Sequence, residues 1–460
     1  MKRVSPQRPT LTDGPIGRQL FRLTLPMLVG ILAMLGFNVV DTMFVGRLGT
    51  LPLAAMAVAF PVVMVLMSIS LGIGIGTSIV VSRAIGGEHP EEVRRLTTDA
   101  LSLAFLVSVL CSACGLLVLD PVIHALEGDL PTHGDTRAYL SVWLPGLAFV
   151  MLPMVGSMAI RATGDTFTPS AILLLGVLVN AMLDPLLIFG WGPCPRLEIA
   201  GAAWATVLSR AATLAAVLWL LLRRERMLTT PFVRPAVMVR SWGRLLRIAV
   251  PIALNNLITP LQIGALTRLC AVLGPAVVAG YGVGSRVESF ALSGMFALQS
   301  VIGVFVGQNA GAARWGRVRG VMRACTRFGL AYGGCVFLVL LALGKPLASA
   351  FDSDTAVIGA TYAYFVVAGM TFGGKAVYLS GSAGLNSLDR AGTATTVTAV
   401  HGLLIAVPAA WLGGRFWGMP GLFGGVALGN LAGGAMTELA LRRVLRRHPP
   451  RPPGQEPHST

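Results

Sequence analysis

Charge is scarce in this chain. Asp, Glu, Lys and Arg together make up 12% of its 460 residues, against 54% hydrophobic, and mean hydropathy is +0.74. Soluble domains carry about 25% charged residues, so the composition excludes a soluble globular protein and points to many membrane spans. Aromatic residues are few, at 7%, and no polar stretch is long enough to form a separate soluble domain. Cysteine is also sparse. Cys111, Cys114, Cys270, Cys325 and Cys335 lie in apolar segments as small buried hydrophobes, and Cys194 alone falls in a loop, so there is no disulfide framework. Cys111-Ser-Ala-Cys114 has redox spacing but sits inside an apolar run with no strand–helix context. Hydrolytic signatures are missing too: there is no His-Glu-x-x-His, no Gly-x-Ser-x-Gly and no pair of intramembrane histidines, which argues against an enzyme. Gly72, Gly74 and Gly76 follow no strand and read as a helix-packing face rather than a phosphate loop.

What is there is a succession of apolar segments of spanning length. Twelve can be placed: 18–46, 52–83, 92–119, 135–161, 167–190 and 199–223, then 243–270, 277–307, 316–343, 355–384, 393–413 and 419–443. Of the 36 Lys and Arg, 27 fall on one side of these segments, six on the other and three inside them (Arg210, Arg286, Lys375). The positive-inside rule then puts both termini in the cytoplasm, in a multi-pass protein of the inner membrane. The same asymmetry accounts for the net charge of +16 without a nucleic-acid partner. Lys2, Arg3 and Arg8 precede the first segment, and no small-residue cleavage site follows, so this segment is expected to be retained.

The halves repeat. Sliding the chain along itself until Leu25-Pro26 falls on Val250-Pro251 also lays Leu48-Gly49 on Leu273-Gly274, Gly86 on Gly311 and Ile160 on Leu385, after which the register drifts. Each half has six spans, so both enter the membrane from the same side. The expected fold is an all-α polytopic membrane protein of twelve transmembrane helices, in two six-helix bundles related by a parallel pseudo-twofold repeat. The domains are then an N-terminal lobe at 1–223, a cytoplasmic linker at 224–242, a C-terminal lobe at 243–445 and a disordered tail at 446–460.

Acids inside the spans are the rarest feature of all. Asp41, Asp184 and Glu288 lie well within segments. A carboxylate at bilayer depth costs about 2.5–3.5 kcal/mol on insertion scales, which makes each a candidate functional group. Asn180 precedes Asp184 by four residues, on the same helical face, and Pro185 follows, where it frees a carbonyl beside the acid. Asp41 and Asp184 each lie 15 residues beyond a proline (Pro26, Pro169), roughly 22 Å along an outward-running helix. At similar depth they can share one site, and two carboxylates there cannot both stay ionised without a cation. The pair therefore carries a proton or cages Na⁺, with Asn180 and the hydroxyl of Thr206 as neutral oxygens. Under the repeat shift Asp41 meets Leu266 and Asp184 meets the neighbourhood of Ala409, so the pair belongs to one half only. Glu288 needs a partner from another helix or lines a cavity. His401 reads as an interior histidine, and Lys375 either snorkels or faces the cleft.

The run Val40-Asp-Thr-Met-Phe-Val-Gly-Arg-Leu-Gly49 with Leu53-Ala-Ala-Met-Ala resembles the first helix and loop of multidrug and toxic compound extrusion (MATE) transporters. Ser82-Arg-Ala-Ile-Gly-Gly, Gly307-Gln-Asn-Ala-Gly311, Arg161-Ala-Thr-Gly-Asp165 and Gly201-Ala-Ala-Trp-Ala-Thr206 resemble further landmarks of that family. The resemblance covers nearly the whole chain. It implies a two-lobe antiporter that exports amphipathic, often cationic compounds against inward H⁺ or Na⁺. Within the family the match is to the DinF-like and archaeal branch, whose cation site lies in the N-terminal lobe. Its functional positions correspond here to Asp41, Asn180, Asp184 and Thr206, with Tyr139 near them, and these are the Na⁺ ligands if Na⁺ is the coupling ion. Met27, Asn256, Gln262 and Glu288 are assigned to the substrate cavity. No cofactor is expected, and the expected partners are the lipid bilayer and small drug substrates of a monomer. A lipid-linked precursor flippase of the same superfamily is the alternative; it would want a more cationic cleft.

Overall fold

The computed structural model describes residues 11–127, 131–191, 195–229 and 235–447, except for the side chains of residues 35 and 37–42. Among them there are helices and no strand, as lipid demands of a chain that must satisfy its own backbone. The first half runs α1 (Ile16–Gly46), α2 (Thr50–Gly86), α3 (Pro90–Leu117), α4 (Leu119–Glu127), α5 (His133–Trp143), α6 (Leu147–Ala162), α7 (Phe167–Phe189) and α8 (Glu198–Trp219). The second runs α9 (Pro235–Leu273), α10 (Pro275–Ala291), α11 (Ser293–Gly311), α12 (Trp315–Ser349), α13 (Thr355–Val367), α14 (Phe372–Ser387), α15 (Ala391–Ala399) and α16 (Val407–Arg446).

Among the described residues nine stretches are long and apolar enough to cross a membrane, and eleven when the bent pairs α5–α6 (50°) and α10–α11 (49°) each count as one. The last stretch doubles back at Gly418, whose φ of 61° suits glycine. Gly413 and Gly421 then meet backbone to backbone, so that a Cβ on either would stand 2.1 Å from the other's carbonyl oxygen. With that hairpin resolved, the described residues hold the twelve spans expected from hydropathy. The short helix α4 was not expected; its nine residues are too few for a span.

The repeat is written into the backbone. Gly49 and Gly274 turn with φ of 128° and 124°, Glu88 and Ala313 with 58° and 56°, and Gly164 and Asp389 with 89° and 57°, and each pair keeps the offset that lays Pro26 on Pro251. Such angles are rare in non-glycine residues, so three coincidences mark one architecture built twice.

The chain divides into two compact units. One contains residues 29–253, the other residues 11–28 together with 254–447. Both boundaries follow a proline by the same interval, Pro26 before residue 29 and Pro251 before residue 254. The front of α1 thus belongs to the second unit, and the front of α9 to the first. In the second unit Gln308 Oε1 accepts from the Leu11 amide at 3.0 Å, while the Leu11 carbonyl accepts from Asn309 Nδ2 and from Arg317, each at 3.1 Å. In the first unit Trp242 Nε1 donates to the Asp99 carbonyl at 2.9 Å, and α2 lies so close to α9 that a Cβ on Gly72 would be 2.5 Å from the Ala249 carbonyl oxygen.

Candidate functional site

An apolar cluster of the first unit draws on seven helices, α1, α2 and α4–α8. Val45 of α1, Ala55 and Ala59 of α2, Tyr139, Leu140 and Trp143 of α5, Ile188 of α7 and Ala202 and Ala203 of α8 are all buried in it. Val45 lies one turn beyond Asp41, Ile188 one turn beyond Asp184, and Ala202 one turn before Thr206. The side chain of Asp41 lies outside the described residues.

Glycines set the spacing of α7 and α8. A Cβ on Gly201 would fall 2.4 Å from the Leu187 carbonyl oxygen, and one on Gly176 would fall 2.9 Å from Thr213 Cγ2. At the start of α7 the Asp165 carboxylate closes the first turn, accepting from the Thr168 amide at 3.0 Å and its hydroxyl at 2.6 Å. Arg224 in turn reaches both residues, at 3.3 Å from Asp165 and 2.8 Å from Thr168 Oγ1. Asp165 therefore anchors a helix end.

Between these close approaches sits the polar pair. Asn180 Nδ2 donates to Asp184 Oδ1 at 2.8 Å, Asp184 is completely buried, and Asn180 is 4% exposed. Ser209 of α8 adds a group the sequence reading missed. Its hydroxyl donates to the Thr206 carbonyl at 2.8 Å and lies 3.4 Å from Asn180 Oδ1. One hydroxyl proton can serve only one acceptor well, so Ser209 stands between the two as an adjustable link. Thr206 enters this network through its carbonyl, and its side chain is half-buried. Tyr139 is buried in the apolar cluster. Asp184, Asn180 and Ser209 thus offer hard oxygens in a dry place, a donor set suited to a proton or a small alkali cation. A carboxylate held there is stable only when its charge is balanced.

The second unit holds a different polar cluster. Glu288 of α10, 5% exposed, pairs with Lys375 of α14 and accepts from the Tyr364 hydroxyl of α13. Tyr364 meets Tyr281 and Phe423 edge-on at 5.7 and 5.2 Å. His401 sits edge-on to Tyr378 at 4.5 Å, and Asn430 donates to Thr371 at 3.1 Å. Of the other residues assigned to a substrate cavity, Met27 is buried at 3% exposure, while Asn256 and Gln262 are half-buried, Gln262 against Gly402.

Twelve spans, a duplicated half and a buried acid–amide pair define a polytopic membrane transport protein. Comparison with known proteins agrees. The family model described as MatE matches residues 26–186 and again 251–412, two copies that begin at Pro26 and Pro251, which the repeat superposes. The chain is a member of the MATE family of transporters. It is 34% identical over 437 residues to a protein of Shewanella oneidensis named FAD transporter, covering 94% of this chain and 96% of that one. It is 31% identical to the probable multidrug resistance protein NorM of Deinococcus radiodurans, covering 68% of each. Among solved structures, the Vibrio cholerae MATE transporter VcmN in its bent form superposes with a TM-score of 0.88 at 30% identity, covering 94% of this chain and 98% of that one.

Proposed function

We propose that this transporter is an antiporter of the inner membrane that exports small organic compounds in exchange for inward H⁺ or Na⁺. Both termini lie in the cytoplasm, and the protein acts as a monomer by alternating access. The observation that carries this reading is the Asn180–Asp184 pair, which is wholly buried in the first unit and has no counterpart at the matching place in the second. A cation or proton arriving from outside neutralises Asp184, with Asp41, Thr206 and Tyr139 completing the site, and the first unit repacks. Cargo affinity falls, cargo leaves outward, and release of the ion inward resets the cycle. The absence of any Asp or Glu from α9, α13 and α14 supports the branch that couples through its N-terminal lobe.

Two cargo readings each have a specific support. Export of amphipathic or cationic drugs, with antibiotic resistance as its phenotype, follows the family members named for multidrug resistance. Export of a flavin dinucleotide is supported by the Shewanella protein, whose 34% identity runs through nearly the full length of both chains. A flippase for lipid-linked precursors fits less well, because Lys375 is already committed to Glu288.

Proteoliposomes separate these readings. Purified transporter is reconstituted with FAD or ethidium on the cargo side, and a pH or Na⁺ gradient is imposed one at a time. Cargo movement driven by one gradient and lost in Asp184→Asn supports the antiporter. Equal movement without any gradient overturns it, and the cargo that moves decides between flavin and drug.

A further inference from the structure

The connection between α3 and α5 is more than a loop. Helix α4 buries Leu119 and Ile123 and carries His124 and Glu127, three residues apart, on a common side. His133 at the start of α5 folds back onto it, and the rings of His124 and His133 stack with centroids 4.4 Å apart. Both imidazoles aim at one carboxylate: His124 Nδ1 is 3.0 Å and His133 Nδ1 is 3.2 Å from Glu127 Oε1. One ligand atom from each residue lies within 4.8 Å of the others. Glu127 is 8% exposed, and its second oxygen is buried without a hydrogen-bond partner among the described residues.

We propose that His124, Glu127 and His133 form a binding site for a divalent transition-metal cation of the zinc type. Two imidazole nitrogens and a carboxylate suit a borderline cation, whereas Mg²⁺ and Ca²⁺ demand oxygens alone. Bonds of about 2.0–2.1 Å to a tetrahedral metal give ligand–ligand edges of roughly 3.3–3.4 Å, close to the spacing of each histidine from Glu127. Three protein ligands leave the fourth position to water.

The surroundings fit the same purpose. His133 Nε2 is 3.4 Å from Asp120 Oδ1, which in turn accepts from Arg137 Nε at 2.9 Å. A carboxylate behind a ligating histidine steadies its ring, and Asp120 would hold His133 with Nδ1 towards Glu127 once a metal takes the place of the Nδ1 proton. A hydrogen bond of 3.2 Å joins His133 Nδ1 to Glu127 Oε1, and a bound cation would take the place of its proton. Under the orientation proposed above, the site faces outside. It would pin α4 to the head of α5, six residues before Tyr139.

The test uses full-length protein in detergent, free of any histidine tag and stripped with a chelator. Zn²⁺ uptake is followed by equilibrium dialysis with elemental analysis, and Co²⁺ serves as a spectroscopic probe of geometry. One Zn²⁺ per chain is expected, with no competition from millimolar Mg²⁺ or Ca²⁺. It should be lost in His124→Ala and His133→Ala, and weakened about 10–100-fold in Asp120→Asn, which touches no metal. Each variant must keep the apo protein's unfolding temperature. Stoichiometric binding that survives in the double histidine variant, or no saturable binding in the parent, overturns the site. A cluster whose rings titrate with protons while Zn²⁺ stays in solution overturns it equally.

Discussion

Thr136 and Thr361 stand in the same place twice. Thr136 Oγ1 lies 3.5 Å from the carbonyl oxygen of Ala55, and Thr361 Oγ1 lies 3.4 Å from that of Gly280, with donor and acceptor both displaced by the offset of the repeat. Tyr139 and Tyr364 follow each threonine by one turn and match in the same way. The frame is therefore shared, and the chemistry hung on it is not. Tyr364 meets Glu288, whose counterpart in the first half is the apolar Val63.

Breaking the Glu288–Lys375 pair from one side should cost more than removing it whole. Lys375→Met alone leaves the buried Glu288 without its counter-charge, a loss of about 3–5 kcal/mol, whereas Glu288→Gln strands a Lys375 that is 33% exposed and costs less. The double variant should unfold closer to the parent than either single one. Thermal unfolding in detergent, read as a double-mutant cycle, checks this; additive losses would mean the pair is not coupled.

Asp184→Asn should insert in the membrane and fold, yet lose transport, because the amide fills the same space without binding an exchangeable cation. Asn180→Ala should retain part of the activity and lose about 1–3 kcal/mol of stability, since it removes a hydrogen bond to a buried carboxylate. Growth protection against cargo compounds, set beside the amount of protein in isolated membranes, separates the two effects.

Ser209→Ala tests a residue that no sequence argument singled out. Ser209 is 1% exposed and its hydroxyl links α8 to Asn180, so its loss should slow gradient-driven transport while leaving expression unchanged. Ser209→Thr, which keeps the hydroxyl, should recover more of the rate. Identical rates in all three proteins would remove Ser209 from the site.

The packing of α7 on α8 allows a purely steric prediction. Gly201→Val should destabilise by about 1–3 kcal/mol, because the new side chain meets the Leu187 carbonyl head-on. Gly264→Ala, where nothing lies within 4 Å of the added carbon, should be neutral or stabilise by up to about 1 kcal/mol in the same unfolding assay.

Sequence reached some of this architecture and was blind to the rest. The spans were legible because lipid leaves so few alternatives, and the Asn180–Asp184 pair because a spacing of four is local to one helix. Lys375 could not be matched to Glu288 in the same way: 87 residues and several turns of chain separate them, and hydropathy carries no information about which helix faces which. Ser209 was hidden by chemistry, since a serine in an apolar helix usually bonds only to its own backbone. Helix α4 was hidden by length. Pro26 and Pro251 announced the repeat, but only packing reveals that the chain changes units just beyond each of them.

That change of units carries an evolutionary consequence. If the halves arose from one ancestral six-span chain, each copy would have lent the front of its first helix to its partner, the arrangement of a domain-swapped homodimer. Such a protein has no complete monomer, and fusing two copies makes the exchange permanent. Neither half of the present chain should then be stable by itself. Two fragments divided at the 224–234 segment, made together, should reassemble, each supplying the helix the other lacks.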